Sequence, residues 1–306
     1  MGRAVECKIC GNSKGNRLHR VPELMFRTDE SFDYLECGGC GSLHIVSIPA
    51  DLARHYPAHY YAFAVTPKPV SLTAWLKSVR ARHRFHPTLL GALLQRSFGP
   101  EEQPEWIGAV ESLLEGPVLD IGCGQGTMLH ALERLGFRNV TGVDPHAPDA
   151  RHPRVKRCGV EDIEGEFSLV MFHHSLEHIP DVFGTLRAAR GLLAADGRMI
   201  VRIPVAGGFA WRTYGIHWVA LDAPRHLWLF SPPAFRHVAA SAGLFVERCF
   251  FDSTALQFAG SELYRKGKPL SDLTWTPEEL SRLSSKAREL NEKGDGDAAC
   301  FVLSKA

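Results

Sequence analysis

The chain has 306 residues, 45% of them apolar, enough to bury the core of a full α/β domain and leave room for a smaller module. Its 35 lysines and arginines nearly balance 34 aspartates and glutamates, so global charge points to neither a nucleic acid nor a membrane partner. No apolar run reaches membrane-spanning length and the start, MGRAVECKIC, lacks the basic-then-apolar pattern of a secretory signal, so a cytoplasmic location is expected.

Residues 1–48 read as a zinc-binding module. Cys7 and Cys10, then Cys37 and Cys40, form two CxxC knuckles, CKICG and CGGCG, with glycines beside them for tight turns. Four thiolates at that spacing can complete a tetrahedral zinc site and stabilise a segment with too little core of its own. A redox role for one CxxC is the alternative; two pairs flanked by glycine favour structural zinc. Disulfides are not expected without an export signal, and the isolated Cys123, Cys158, Cys249 and Cys300 read as ordinary buried thiols.

Residues 49–115 form a helical linker or substrate-capping region. It opens on the aromatic stretch IPADLARHYPAHYYAFAVTPKP and continues as helices over 75–98 and 105–114. No acidic residue intervenes between Asp51 and Glu101, and Lys77, Arg80, Arg82, Arg84 and Arg96 could offer an electrostatic footprint. Phosphates of RNA, the pyrophosphate of a nucleotide sugar and an anionic membrane surface would all suit it.

From 116 to 306 the pattern is of short apolar strands alternating with helices, which requires a mostly parallel, doubly wound sheet. Strands are expected at 118–122, 139–144, 154–158, 167–172 and 197–204, with helices at 127–135 and 182–193. Ser231 followed by Pro232 marks another helix start, and TPEE from Thr276 a further one. The stretches 244–251 and 299–305 read as a closing pair containing the antiparallel final strand.

VLDIGCGQGTML is a buried strand entering a glycine-rich turn and then a helix. Gly122, Gly124 and Gly126, with Cys123 between them, let the backbone approach a ligand closely beside free helical N–H groups. A dinucleotide fingerprint would need glycine at 127, which is Thr127. With Asp120 ahead of the glycines, the motif DxGCGxG resembles the first motif of the class I S-adenosylmethionine-dependent methyltransferases. The resemblance implies a Rossmann-like fold and that cofactor. Asp144, ending the next strand in VTGVDP, can accept bonds from both ribose hydroxyls. Glu161 or Asp162, in CGVEDIEGEF, matches the family's acidic residue near the adenine amino group. The family often has aspartate where this chain has Ser168.

The fourth strand of that domain runs into MFHHSLEHIPD at the edge where open α/β sheets bind ligands. It resembles the HxLEHxxD run of small-molecule methyltransferases, which places His173 beside the cofactor and His174, Glu177 and His178 near the transferred methyl. His174 and His178 are candidate bases. They could also share a helical face around a metal, but no third ligand is identifiable in the sequence. The connection at 204–235 is long and aromatic and reads as a substrate lid. Trp211, Tyr214, Trp218 and Trp228 offer stacking faces, although Trp228 and Phe230 read better as packing. Asp222 and Arg225 could grip an acceptor, and His226 joins the catalytic candidates.

Zinc knuckles, an HYPAHYY stretch, DIGCGQG and HSLEH together resemble bacterial methyltransferases of sugar and surface-polysaccharide biosynthesis. The implied reaction is methyl transfer to a sugar-type acceptor, free or nucleotide- or lipid-linked. Zinc-containing sugar C-methyltransferases are also similar but carry a further C-terminal domain, so oxygen is preferred over carbon. An RNA methyltransferase docking through the zinc module is the alternative, and a cofactor-binding scaffold without catalysis a second.

Overall fold

The computed structural model describes residues 5–57, 71–101, 104–147 and 152–306. Part of the aromatic stretch, residues 58–70, lies outside the described residues. In chain order, β1 (Arg17–Pro22), β2 (Ser31–Glu36) and β3 (Leu43–Ile45) precede α1 (Leu72–Arg82), α2 (Leu89–Phe98) and α3 (Glu105–Val110). The single helical stretch expected over 75–98 is two helices. Pro87 disfavours helical backbone at His86, and Thr88, extended, starts α2 anew by accepting the Gly91 N–H.

The next half alternates β4 (Val118–Ile121), α4 (Thr127–Leu135), β5 (Val140–Val143), β6 (Val155–Lys156), β7 (Phe167–His173), α5 (Val182–Gly191) and β8 (Leu193–Pro204). After it come α6 (Phe209–Tyr214), β9 (Trp228–Leu229), α7 (Pro232–Ser241), β10 (Leu244–Phe251), α8 (Leu256–Arg265), α9 (Pro277–Glu292) and β11 (Ala298–Lys305). The cap signals hold: Ser231 accepts the Ala234 N–H, and Thr276 with Glu279 forms a reciprocal capping box.

Seven strands form one sheet in the order β10-β11-β8-β7-β4-β5-β6. Pairing is parallel from β8 to β6, and β11 is antiparallel to both β8 and β10. This is the doubly wound Rossmann-like sheet with its antiparallel final strand. All four residues of β4 are buried, as a strand covered on both faces requires. β4 lies between β5 and β7, so the chain order reverses there and a crevice opens at the carboxyl ends of these strands.

The N-terminal strands form a second sheet, β1-β2-β3-β9, whose fourth strand comes from the aromatic connection. Leu43 pairs with Leu229 and His44 with Trp228, while Tyr34 donates its hydroxyl to the His226 carbonyl at 2.8 Å. Ser231 donates to the Cys40 carbonyl at 2.6 Å. Tyr34, Leu35 and Leu43 belong to the same apolar core as Val170, Phe172 and Leu229. The small sheet therefore draws its hydrophobic stabilisation from the large domain.

Tyr34→Phe leaves the His226 carbonyl without its donor and should cost about 1–2 kcal/mol, read in urea unfolding as one cooperative transition for the whole chain. Two separate transitions would show that the sheets do not depend on each other.

Candidate active site

The turn after β4 is built by steric exclusion. Gly122, Gly124 and Gly126 all take left-handed backbone. A Cβ on Gly122 would lie 2.4 Å from Ser175 Cβ, and one on Gly126 would lie 2.6 Å from His152 Cβ, whereas Gly124 faces open space. Cys123 turns its sulfur beneath the loop against Gly142 of β5, where burial raises its thiol. At the end of β5, Asp144 accepts the Gly124 N–H at 2.9 Å and the His146 N–H at 2.8 Å. Asp120 is buried, and its Oδ1 has no hydrogen-bond partner among the described residues. Burial, and next the charge of Asp144, push its carboxyl up to about 8. A buried orphan acceptor beside an open glycine face fits a cationic, nucleoside-bearing cofactor. Glu161 and Asp162 are exposed on a single turn after β6, with Asp162 accepting the Gly159 N–H at 3.3 Å.

The segment leaving β7 abuts this turn. Ser175, which the sequence reading passed over, donates its hydroxyl to the Ile121 carbonyl at 2.6 Å and fills the space that Gly122 leaves. His174 is exposed, with left-handed backbone, and its Nδ1 is 3.7 Å from Glu177. His173 ends β7 with its ring edge-on to His174 at 5.4 Å between centroids; Arg202 donates to its Nε2 at 2.5 Å and Trp106 packs edge-on. Burial first, then Arg202, push the His173 ring down to about 2.

Glu177 is fully buried, and His178 and His226 face each other with ring centroids 4.7 Å apart. Burial, reinforced by His226, pushes His178 down to about 4. For Glu177 burial raises the carboxyl, but His174, His178 and His226 outweigh it and leave it lowered. This gathering of Glu177 with two imidazoles from different segments has no sequence signal beyond the HSLEH run itself.

The aromatic connection turns inward. Trp211 donates to Glu36 at 3.1 Å, Trp218 to Asp297 at 2.8 Å and Trp228 to the Ile179 carbonyl at 2.9 Å. Tyr214 is buried in the core beneath Arg265. Arg225, expected to grip an acceptor, is fully buried. Its guanidinium donates to Asp222 at 2.6 Å, to Glu23 at 2.7 Å and to the His55 carbonyl at 3.2 Å. Burial alone would raise the Asp222 carboxyl; Arg225 beside it holds it below its usual range. In this conformation, then, Arg225, Asp222 and Tyr214 tie the connection down and present no open face to a substrate.

The cysteines of the two knuckles converge. Cys7 and Cys40 sulfurs are 3.9 Å apart, Cys10 and Cys37 3.6 Å, and all four lie within 4.8 Å of one another. Backbone N–H groups of Gly39 and Cys40 point at the Cys37 sulfur.

A Rossmann-like sheet with a glycine turn after β4 and a carboxylate after β5 defines a class I S-adenosylmethionine-dependent methyltransferase. Residues 81–248 match the family described as a methyltransferase domain, and the chain belongs to that family. A ubiquinone biosynthesis O-methyltransferase of Methylocella silvestris is 31% identical over 202 residues, covering 58% of this chain and 77% of that protein. The protein of the same description from Pseudomonas aeruginosa is 32% identical over 111 residues, 31% of this chain and 47% of that one. Against this second relative the chain spans about half its length. A solved structure from Thermotoga maritima, described as a possible histamine N-methyltransferase, superposes with a TM-score of 0.43 at 19% identity, covering 65% of this chain and 87% of that one.

Two outcomes test the cofactor turn. Asp120 binds its proton more tightly folded than unfolded, so the ligand-free protein should lose stability as pH rises from about 4 to about 8. Asp120→Asn should remove that part of the pH dependence, read from urea midpoints; an unchanged slope would show that Asp120 is ionised throughout. Asp144→Ala should weaken S-adenosylmethionine binding about tenfold or more by calorimetry, and unaltered affinity would remove Asp144 from the cofactor site.

Proposed function

We propose that this methyltransferase acts on a hydroxyl of a small polar acceptor, a sugar or its nucleotide- or lipid-linked form, and that His174 accepts the proton. The observation that carries this reading is the position of His174: exposed at the carboxyl end of β7, one residue from the serine that packs on Gly122. Left-handed backbone at a non-glycine residue costs energy and is often retained where function needs it. The relatives described as O-methyltransferases support oxygen over carbon.

In this reading the 122–126 turn, Asp120 and Asp144 hold S-adenosylmethionine, with Glu161 or Asp162 toward the adenine. The bound cofactor supplies a methyl carbon open to in-line attack. The protein contributes proximity, orientation and a proton acceptor at His174.

Structural zinc at Cys7, Cys10, Cys37 and Cys40 is part of the proposal. Zinc–sulfur bonds of about 2.3 Å in a tetrahedron separate the sulfurs by about 3.8 Å, close to the spacing in the knuckles. The RNA alternative is weakened by the same helices that suggested it, since Arg80 is paired with Glu101 and Arg84 with Glu111. No helix among the described residues is long and apolar enough to cross a membrane. Leu89, Leu93 and Phe98 are nonetheless exposed on α2, which suits a lipid-linked acceptor.

Incubation with labelled cofactor and fractionated cell extract, with mass identification of the product, should yield a small polar methyl ether. Label in RNA, or in nothing, would overturn the proposal. His174→Gln should lower turnover about 100-fold or more while leaving cofactor affinity intact; full activity would exclude His174 as the base.

A further inference from the structure

Behind His174, the buried Glu177 carboxylate lies beside two imidazoles from different segments. Both carboxylate oxygens of Glu177 lack a hydrogen-bond partner among the described residues. His178 Nδ1 contacts the Arg225 carbonyl and the Tyr56 hydroxyl, each at 3.0 Å, and His226 Nδ1 contacts the Ala220 carbonyl at 2.7 Å. A carbonyl can only accept, so each Nδ1 carries the proton, shared at His178 with the Tyr56 hydroxyl as a second acceptor, and each Nε2 presents a lone pair. The ligand atoms of Glu177, His178 and His226 all lie within 4.8 Å of one another, and Asp222 Oδ2 is 3.9 Å from His226 Nε2.

Charge adds to the geometry. Glu23 and Asp222 share the one buried guanidinium, Arg225, and Glu177 adds a further buried carboxylate beside His178 and His226, an excess of two negative charges. Unbalanced charge in a dry site is costly, and a divalent cation would cancel it. We propose that Glu177, His178 and His226 bind a divalent first-row transition-metal cation through one carboxylate oxygen and two Nε2 atoms. Mixed imidazole and carboxylate donors suit such metals, and three protein ligands leave coordination positions open. The Nδ1–H contacts to carbonyls are the outer bonds that orient metal-binding histidines. Because His226 belongs to the aromatic connection and the other two follow β7, the cation joins these segments.

The same tautomer argument rejects a second cluster, His130, Glu133 and His152. There His152 Nδ1 accepts the Arg154 N–H at 3.2 Å, so its Nε2 carries the proton and points at Glu133 instead of offering a lone pair.

The test uses Co2+ added to the full chain with its cysteine site already loaded with zinc. Wild type should bind about one further equivalent with visible d–d absorption and no thiolate charge-transfer band. Glu177→Gln and His226→Gln should each weaken that binding at least about 100-fold while retaining the cysteine-bound zinc. Zn2+ beyond that held by the cysteines should also raise the wild-type Tm, a readout that needs no variant. Absorption of thiolate character alone, equal Co2+ affinity in a folded variant, or an unmoved Tm would each overturn the proposal.

Discussion

The buried guanidinium of Arg225 is the contact on which the rest of the arrangement depends. It joins Asp222 of the aromatic connection to Glu23, in the turn between β1 and β2, and to the backbone at His55. Three segments distant in sequence meet on one rigid, planar donor, whose fork geometry a lysine could not reproduce. Breaking such a pair leaves uncompensated charge in the core, typically a loss of about 3–5 kcal/mol. With the connection held in this way, His226 reaches His178 and Glu177.

The cofactor side is organised by a different constraint, that of space. Reversal of strand order beside β4 opens the crevice, and left-handed glycines allow the segment after β7 to press against the turn. Ser175 occupies the place of a missing side chain at Gly122, so the cofactor turn and the His174 segment are in direct contact. Contact between the glycine turn and the segment after β7 thus follows from the absence of one methyl group.

Legibility in the sequence followed the range of the interactions. The strand, glycine turn and carboxylate of the proposed cofactor site are local patterns, and Asp120, Gly122, Gly124, Gly126 and Asp144 lie together in space. The caps at Ser231 and Thr276 were equally plain, because capping is decided within four residues. Long-range pairing was not. Nothing in residues 1–48 announces that their sheet takes its last strand from Trp228 and Leu229. Aromatic and charged residues at 211–226 looked like a surface for substrate, since composition cannot tell an inward-facing strap from an open lid. Of the polar residues proposed there, His226 lies with the histidines after β7, whereas Arg225 and Asp222 pair with each other and with Glu23.

The borrowed strand also has a temporal side. During synthesis β1, β2 and β3 leave the ribosome early, but the open edge of β3 has no partner until Trp228 and Leu229 have been made. An unpaired edge is an invitation to wrong pairing, so the nascent chain carries that hazard through the translation of most of the large sheet. Strands β1 to β3 are made well before β9, and their sheet is completed only with it.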